Sequence, residues 1–273
     1  MTDRAAVDLA YNNAAAFSDV VDWRDRWRNR TRQVALPKGS VLDVPYGSRP
    51  RQKIDVFPVG LAEAATVLFF HGGFWSRNDK ETFRFLLDPI HRAGFNAVFA
   101  GYTLAPVRDF GEIVDDAVRA TQWLAAHLAE LGLAEKALVL LGGSAGAHLA
   151  AMQMDQPGIA AGIVISGIYD LAPMRISSMN DLLHLDPDSV ARYSPTRLRI
   201  NRSAPLTVAY GMLELPAFQR QSMDFHEAWS RLSLPVSLLP LPGHHHHSVL
   251  EELYPPSGQL YVELMKLHQL TDV

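Results

Sequence analysis

One stretch of the chain holds the residue types that nucleophilic catalysis needs. Ala137-Leu138-Val139-Leu140-Leu141 runs straight into Gly142-Gly143-Ser144-Ala145-Gly146, and Ala147-His148-Leu149 continues without a helix breaker. The apolar run reads as a buried strand, the continuation as a helix start, and Ser144 as the apex of the sharp turn between them. In Gly142-x-Ser144-x-Gly146 the glycines let the strand and helix backbones approach closely. Such a turn lifts the serine hydroxyl off a sheet and leaves the next N–H, that of Ala145, free for an oxyanion. A serine attacks well only beside a general base that an acid orients, so a carboxylate and a histidine are expected after later strands. Tyr210 ends one such strand and Gly211-Met212-Leu213-Glu214 follows at once, which puts Glu214 in the acid's place. Asp224, inside the next helical stretch, and Asp170, after an earlier strand, are its rivals. The histidine falls within Gly243-His244-His245-His246-His247-Ser248, and spacing alone does not choose among the four.

A second oxyanion donor is expected from His71-Gly72-Gly73-Phe74-Trp75, which directly follows an apolar run ending at Phe70. Glycines there let backbone N–H groups turn inward without a side chain in the way. The N–H groups of Gly73 or Phe74, with that of Ala145, form the expected hole. His71 reads as a residue that ties the loop down by hydrogen bonding, and with Gly72 and His247 it flanks the substrate pocket. Phe74, Trp75, Tyr169 and Met212 are candidates to wall that pocket, with a core role as the alternative for some of them. The histidine run is not a terminal tag, since 26 residues follow His247. Adjacent histidines in one loop cannot all converge on one ion and no carboxylate is interleaved, so no metal is expected.

These residues need a frame, and the chain supplies one. Strands are expected at 40–44, 52–57, 65–70, 96–100, 137–141, 162–166, 206–210 and 236–239, and helices at 82–93, 112–131, 217–232 and 258–270. Alternation of this kind implies the α/β class, with a doubly wound, mainly parallel β-sheet flanked by helices. Residues 1–33 read as an N-terminal helical arm and 170–204 as a cap-like excursion, within one domain over 1–273. In the arm Tyr11, Phe17, Val20, Trp23 and Trp27 recur at helical spacing, as anchors to the body or as the lining of a pocket entrance. Its arginines, from Arg24 to Arg32, make the stretch basic; anion binding is one reading, and the interleaved Asp19, Asp22 and Asp25 favour a solvated face.

Composition sets the outer bounds. Hydrophobic residues at 48% supply a sizeable core, and a net charge of −4 argues against a nucleic-acid partner. The absence of cysteine excludes disulfides, a thiol nucleophile and thiolate metal sites. Met1 to Arg4 lack the apolar core of a signal peptide, and no apolar run reaches membrane-spanning length. The expectation is a cytoplasmic protein with a small-molecule substrate, no cofactor and no membrane partner; a homodimer is left open.

With these residues placed, the chain resembles the kynurenine formamidase (arylformamidase) group of α/β-hydrolases, close to the hormone-sensitive-lipase-like esterases. The resemblance covers most of the chain. It rests on Tyr11-Asn12-Asn13, Tyr46-Gly47, Gln52, Asp55-Val56-Phe57-Pro58, the His71–Trp75 loop and Tyr102-Thr103-Leu104-Ala105-Pro106. It continues through Gly142 to His148, Ser166-Gly167-Ile168-Tyr169-Asp170-Leu171 and Pro216-Ala217-Phe218-Gln219-Arg220-Gln221-Ser222. The His-Gly-Gly-aromatic-Trp loop and Phe218-x-Arg220-Gln221-Ser222 are its more specific parts. The resemblance implies an α/β-hydrolase fold, Ser144 as nucleophile, Glu214 as acid and, through a Gly-x-x-His pattern on Gly243, His246 as base. Three departures stand out: Glu214 where Asp is common, Gly143 where His is frequent, and His247 where an aromatic residue is expected. The implied activity is an arylformamidase acting on N-formylkynurenine-like substrates. A short-chain carboxylesterase is the alternative within enzymes, and a non-catalytic small-molecule receptor on the same fold the alternative outside them.

Overall fold

Apolar runs punctuated by glycine and proline become one eight-stranded sheet in a computed structural model that describes residues 3–200 and 203–271. The first two residues of the expected arm and residues 201–202 of the expected excursion lie outside the described residues. The arm is three helices, α1 (Arg4–Ala10), α2 (Asn13–Ala16) and α3 (Val20–Gln33). Asn12 breaks the first from the second, because its side chain accepts from Ala15 N at 3.1 Å and starts a new helix.

Two antiparallel strands, β1 (Val41–Pro45) and β2 (Lys53–Phe57), lead to β3 (Thr66–Phe70). The stretch expected as one helix over 82–93 starts as a 3-10 turn, Lys80–Leu86, and becomes α-helical only as α4 (Leu87–Arg92). Pro89 is third in α4, where its missing N–H is one of the helix's unpaired donors anyway. Then follow β4 (Asn96–Ala100), α5 (Phe110–His127), β5 (Leu138–Gly143), α6 (Ala145–Ala151) and β6 (Ile159–Ile165). The excursion holds α7 (Ala172–Ile176), α8 (Asn180–Leu183) and α9 (Pro187–Tyr193). The chain closes with β7 (Leu206–Gly211), α10 (Pro216–Arg231), β8 (Val236–Leu241), a 3-10 turn at Val249–Leu253, α11 (Gln259–Lys266) and α12 (His268–Thr271).

The spatial order is β1-β2-β4-β3-β5-β6-β7-β8. From β4 to β8 every pairing is parallel; β2 alone runs against the rest, and its antiparallel pairing with β1 returns β1 to the common direction. Strand periodicity divides the core cleanly. Leu68, Phe70, Leu138, Leu140 and Val164 face the layer that holds α5, α6 and α10, whereas Val67, Phe69, Val139, Leu141 and Ile163 face α4 and α11. Central strands of this sheet are buried on both sides, which is why they read as continuous apolar runs in the sequence. The outer strand β1 is exposed at most positions, as an edge is. Among the described residues no helix is long and apolar enough to cross a membrane. The C-terminal ends of β3, β5, β6, β7 and β8 line up side by side, and the site grows there.

Candidate active site

Ser144 lies between β5 and α6 with φ 55° and ψ −120°, a conformation that costs a non-glycine residue on the order of 1–3 kcal/mol and persists only where the surroundings impose it. The surroundings here are backbone. A Cβ on Gly146 would fall 1.9 Å from the Phe70 carbonyl oxygen, and one on Gly142 would fall 2.3 Å from the Gly146 oxygen. Ser144 N donates to Ile165 O at 2.8 Å, which pins the turn to β6. The loop after β3 closes in from the other side, where a Cβ on Gly72 would be 3.0 Å from that of Ser144. Gly143 differs from these neighbours. A Cβ there would have only Leu250 Cδ2 within reach, at 4.0 Å, and its φ is ordinary.

The other two groups come from the ends of β7 and β8. His246 Nε2 is 3.1 Å from Ser144 Oγ. His246 Nδ1 is 3.5 Å from Glu214 Oε2, a long contact of the kind that tightens when substrate closes a site. Glu214 is buried, and its Oε1 accepts from Gly211 N at 2.8 Å and, in a short hydrogen bond, from Ser166 Oγ. The turn after β7 holds it there, with Glu214 N donating to Gly211 O at 3.0 Å. The His246 ring packs on Phe218 of α10, centroids 4.5 Å apart.

Three consecutive residues of the loop after β3 have positive φ: Gly73 at 126°, Phe74 at 51° and Trp75 at 54°. Among the described residues the N–H groups of Gly73, Phe74 and Ala145 have no acceptor, as an oxyanion site requires. Trp75 anchors this strained loop. It is fully buried, edge-on to Phe110 at 5.2 Å and to His148 at 5.1 Å. His71 is also fully buried, its Nδ1 2.9 Å from Gly72 O and its ring stacked on Tyr102 at 4.3 Å. Burial pushes its pKa down to about 4, so it stays a neutral tie.

Ser144 and His246 open onto a cavity of about 520 Å³. Gly72, Gly73, Phe74, Phe83, Gly143, Ser166, His247 and Leu250 line it from the body, and Tyr11, Asn13, Arg24, Trp27, Arg28 and Thr31 from the arm. Four residues expected in the pocket are not in its wall. His71 and Trp75 are spent inside the core holding the loop, as described. Tyr169 is fully buried and stacked on Phe225 at 4.3 Å. Met212 sits on the turn after β7 with 49% of its surface in solvent. Adjacency to a motif residue does not fix where a side chain points, and each of these four faces away. The solvated-face reading of the arm is corrected in part. Arg24, Trp27, Arg28 and Thr31 share one face of α3, and that face lines the cavity.

The histidine run splits four ways. His244 Nε2 meets Glu252 at 2.9 Å, and His245 Nε2 meets Asp19 of the arm at 3.1 Å while stacking on Phe17. His246 takes Ser144, and His247 joins the cavity wall. They do not converge as metal ligands. A carboxylate group elsewhere, Asp43, Asp55 and Glu81, is filled by Lys80, whose Nζ lies 2.9 Å from Asp43 and from Asp55 and contacts Glu81. Ser166 was not anticipated as a site residue. The signal available was a polar residue placed directly after an apolar strand next to the elbow strand.

The sequence profile of the alpha/beta hydrolase fold matches residues 67–210. The kynurenine formamidase of Danio rerio is 30% identical over 243 residues, covering 84% of this chain and 82% of that one. The kynurenine formamidase of Salmo salar is likewise 30% identical, covering 84% and 82%. A crystal structure from Silicibacter sp. TM1040, provisionally described as a thioesterase, superposes with a TM-score of 0.84 at 28% identity, over 94% of this chain and 97% of that one. An esterase of Pyrobaculum calidifontis shares the fold, with a TM-score of 0.74 at 16% identity over 90% of this chain and 91% of its own. The chain therefore belongs to the α/β-hydrolase family, as a kynurenine formamidase-like hydrolase related to the hormone-sensitive-lipase-like esterases.

Proposed function

We propose that this chain is a serine hydrolase that cleaves formyl or short acyl amides through an acyl-enzyme, and that it is an arylformamidase acting on N-formylkynurenine-like substrates. The observation that carries this reading is the contact of His246 Nε2 with Ser144 Oγ, at 3.1 Å, at the wall of a cavity that aromatic side chains line. With the Nδ1 proton directed at Glu214, Nε2 of His246 accepts the Ser144 proton as Oγ attacks the formyl carbon. The oxyanion forms beside the free N–H groups of Ala145 and of Gly73 or Phe74, each donor of this kind being worth about 3–4 kcal/mol. His246 then protonates the leaving arylamine nitrogen, and water, deprotonated by the same imidazole, releases formate. Phe74, Phe83 and Trp27 offer flat apolar surface to an aryl leaving group. Similarity to the kynurenine formamidases of Danio rerio and Salmo salar, along most of their length, supports the formamide reading over the ester reading.

The test compares kcat/KM for N-formylkynurenine and 4-nitrophenyl acetate, in wild type and Ser144→Ala. The formamide should be preferred, and both activities should fall by about 10⁴-fold or more in the variant. Turnover of the ester alone would leave a carboxylesterase. Failure of a fluorophosphonate to label Ser144 would leave a receptor without an activated serine.

A further inference from the structure

Two successive peptides of the loop after β3 are held in different ways. Gly73 O accepts from Ser76 N at 3.1 Å and from Arg77 N at 3.0 Å, so backbone alone fixes the Gly73–Phe74 peptide and with it the Phe74 N–H. Gly72 O has no backbone donor among the described residues. Two side chains donate to it instead, His71 Nδ1 at 2.9 Å and Asn78 Nδ2 at 3.1 Å. In a trans peptide the C=O and the N–H point opposite ways, so whatever holds Gly72 O also aims the N–H of Gly73. That N–H has no acceptor among the described residues, and Gly73 lines the cavity with Ser144.

A lock matters at this place. Turning the Gly72–Gly73 peptide over changes ψ of Gly72 and φ of Gly73, and with no Cβ on either residue both orientations are sterically open. The turned peptide would present a carbonyl oxygen where the other presents a donor. Donors to an oxyanion are effective when they are already aligned, since no reorganisation is then needed during the reaction. His71 holds the carbonyl from the core side. Asn78 reaches it from across the turn, and its amide lies over the glycine itself, 2.9 Å from where a Gly73 Cβ would be. Asn78 has φ 68°, a value asparagine adopts more readily than most residues, and its backbone oxygen accepts from Arg51 Nη2 at 2.8 Å. The residue is exposed at the cavity wall, so the core does not depend on its amide.

We propose that Asn78 is a positioning residue whose amide keeps the Gly72–Gly73 peptide turned so that the Gly73 N–H meets the oxyanion. This rests on the hydrolase reading of Ser144 and assigns the second donor of its oxyanion hole. It holds for either acyl group, because formamide and ester pass through the same kind of oxyanion.

The test uses two variants. Asn78→Gly tolerates the same backbone conformation and deletes the amide. Asn78→Asp keeps the shape and faces the Gly72 carbonyl with an acceptor in place of a donor. Both are assayed on N-formylkynurenine and on 4-nitrophenyl acetate. Both are also titrated with 2,2,2-trifluoroacetophenone, whose adduct with Ser144 carries an oxyanion, and with acetophenone, which forms no stable adduct. We expect kcat to fall about tenfold in Asn78→Gly and about a hundredfold in Asn78→Asp, with KM within about twofold. Affinity for the trifluoro ketone should fall in step with kcat/KM while that for acetophenone holds. Thermal midpoints should stay within about 3 °C of wild type. An unchanged kcat in Asn78→Asp, or equal weakening of both ketones, overturns the proposal. If wild type cleaves only the ester, the arylformamidase reading falls and the same changes are required on the ester. If it cleaves neither while a fluorophosphonate labels Ser144, the two ketones alone decide. No turnover and no labelling overturn the hydrolase reading and this proposal together.

Discussion

The elbow and the arm meet at one cavity but are held by different forces. Around Ser144 the contacts are backbone against backbone: Gly146 under Phe70 O, Gly142 under Gly146 O, Gly72 against Gly143 O. No rotamer change relieves a clash there. The arm is held by side chains: Trp27 stacked on Phe85 at 5.4 Å, Arg30 on Glu251 at 2.7 Å, His245 on Asp19 at 3.1 Å, and Arg4 on Asp181. Such contacts form and release singly. On the proposed mechanism, chemistry thus sits where backbone contacts fix the geometry, while the facing wall of the cavity comes from a region held by side-chain contacts alone.

The sharpest way to break this comparison is Gly146→Ala. Its methyl would meet the Phe70 carbonyl, and the variant should lose roughly 3 kcal/mol or more, seen as a fall of about 10 °C in thermal midpoint or as failure to fold. A soluble, fully active Gly146→Ala enzyme would show that the elbow is not locked by its backbone.

Acid comes next. His71 and His148 are fully buried, and burial lowers the pKa of each to about 4. A folded-state pKa below the unfolded one means the unfolded chain binds more protons between pH 6.5 and 4. Their contribution is therefore complete above about pH 6.5 and lost as pH falls to about 4, by roughly 3 kcal/mol each. Thermal midpoints across pH 8 to 4 should fall over that window, and less steeply in His148→Gln; a flat profile contradicts neutral burial.

Smaller again is Ser166→Ala, which removes the hydroxyl bonded to Glu214 Oε1. We expect about a tenfold loss in kcat with KM little changed, and a shifted pH–rate profile as the His246–Glu214 pair loses support. An unmoved pH profile would leave Ser166 a packing residue only. The smallest effect belongs to the arm. Arg30→Gln should cost under about 1 kcal/mol of global stability, yet speed proteolysis and hydrogen exchange within α3. Equal protection of α3 and β5 in that variant would erase the distinction between the two regions.

The same contrast explains what could be read in the sequence. The elbow was legible because a close backbone approach admits only glycine, and glycine at fixed spacing is visible in a string of letters. Glu214 was legible because it follows directly on the strand ending at Tyr210, which set it ahead of its rivals Asp170 and Asp224. The pocket wall was not. Trp75 and Tyr169 stand beside motif residues and yet turn into the core, since side-chain direction follows backbone twists such as the 54° φ of Trp75. The arm's basic face looked solvated because charge alternation along a helix does not say which side docks. Arg24 and Asn13 enter the cavity only through the tertiary placement of α2 and α3.

Gly143 carries a last consequence. Next to a serine whose other neighbours tolerate no added atom, it has an ordinary backbone and open space beyond its α-carbon. A single nucleotide change in a glycine codon reaches alanine, serine, valine or aspartate. An alanine methyl there would have only Leu250 Cδ2 nearby, at 4.0 Å, and would narrow the cavity beside Ser144. The fold thus leaves one inherited dial on substrate width beside machinery it otherwise freezes, and laboratory libraries aimed at new acyl groups have a first position to vary.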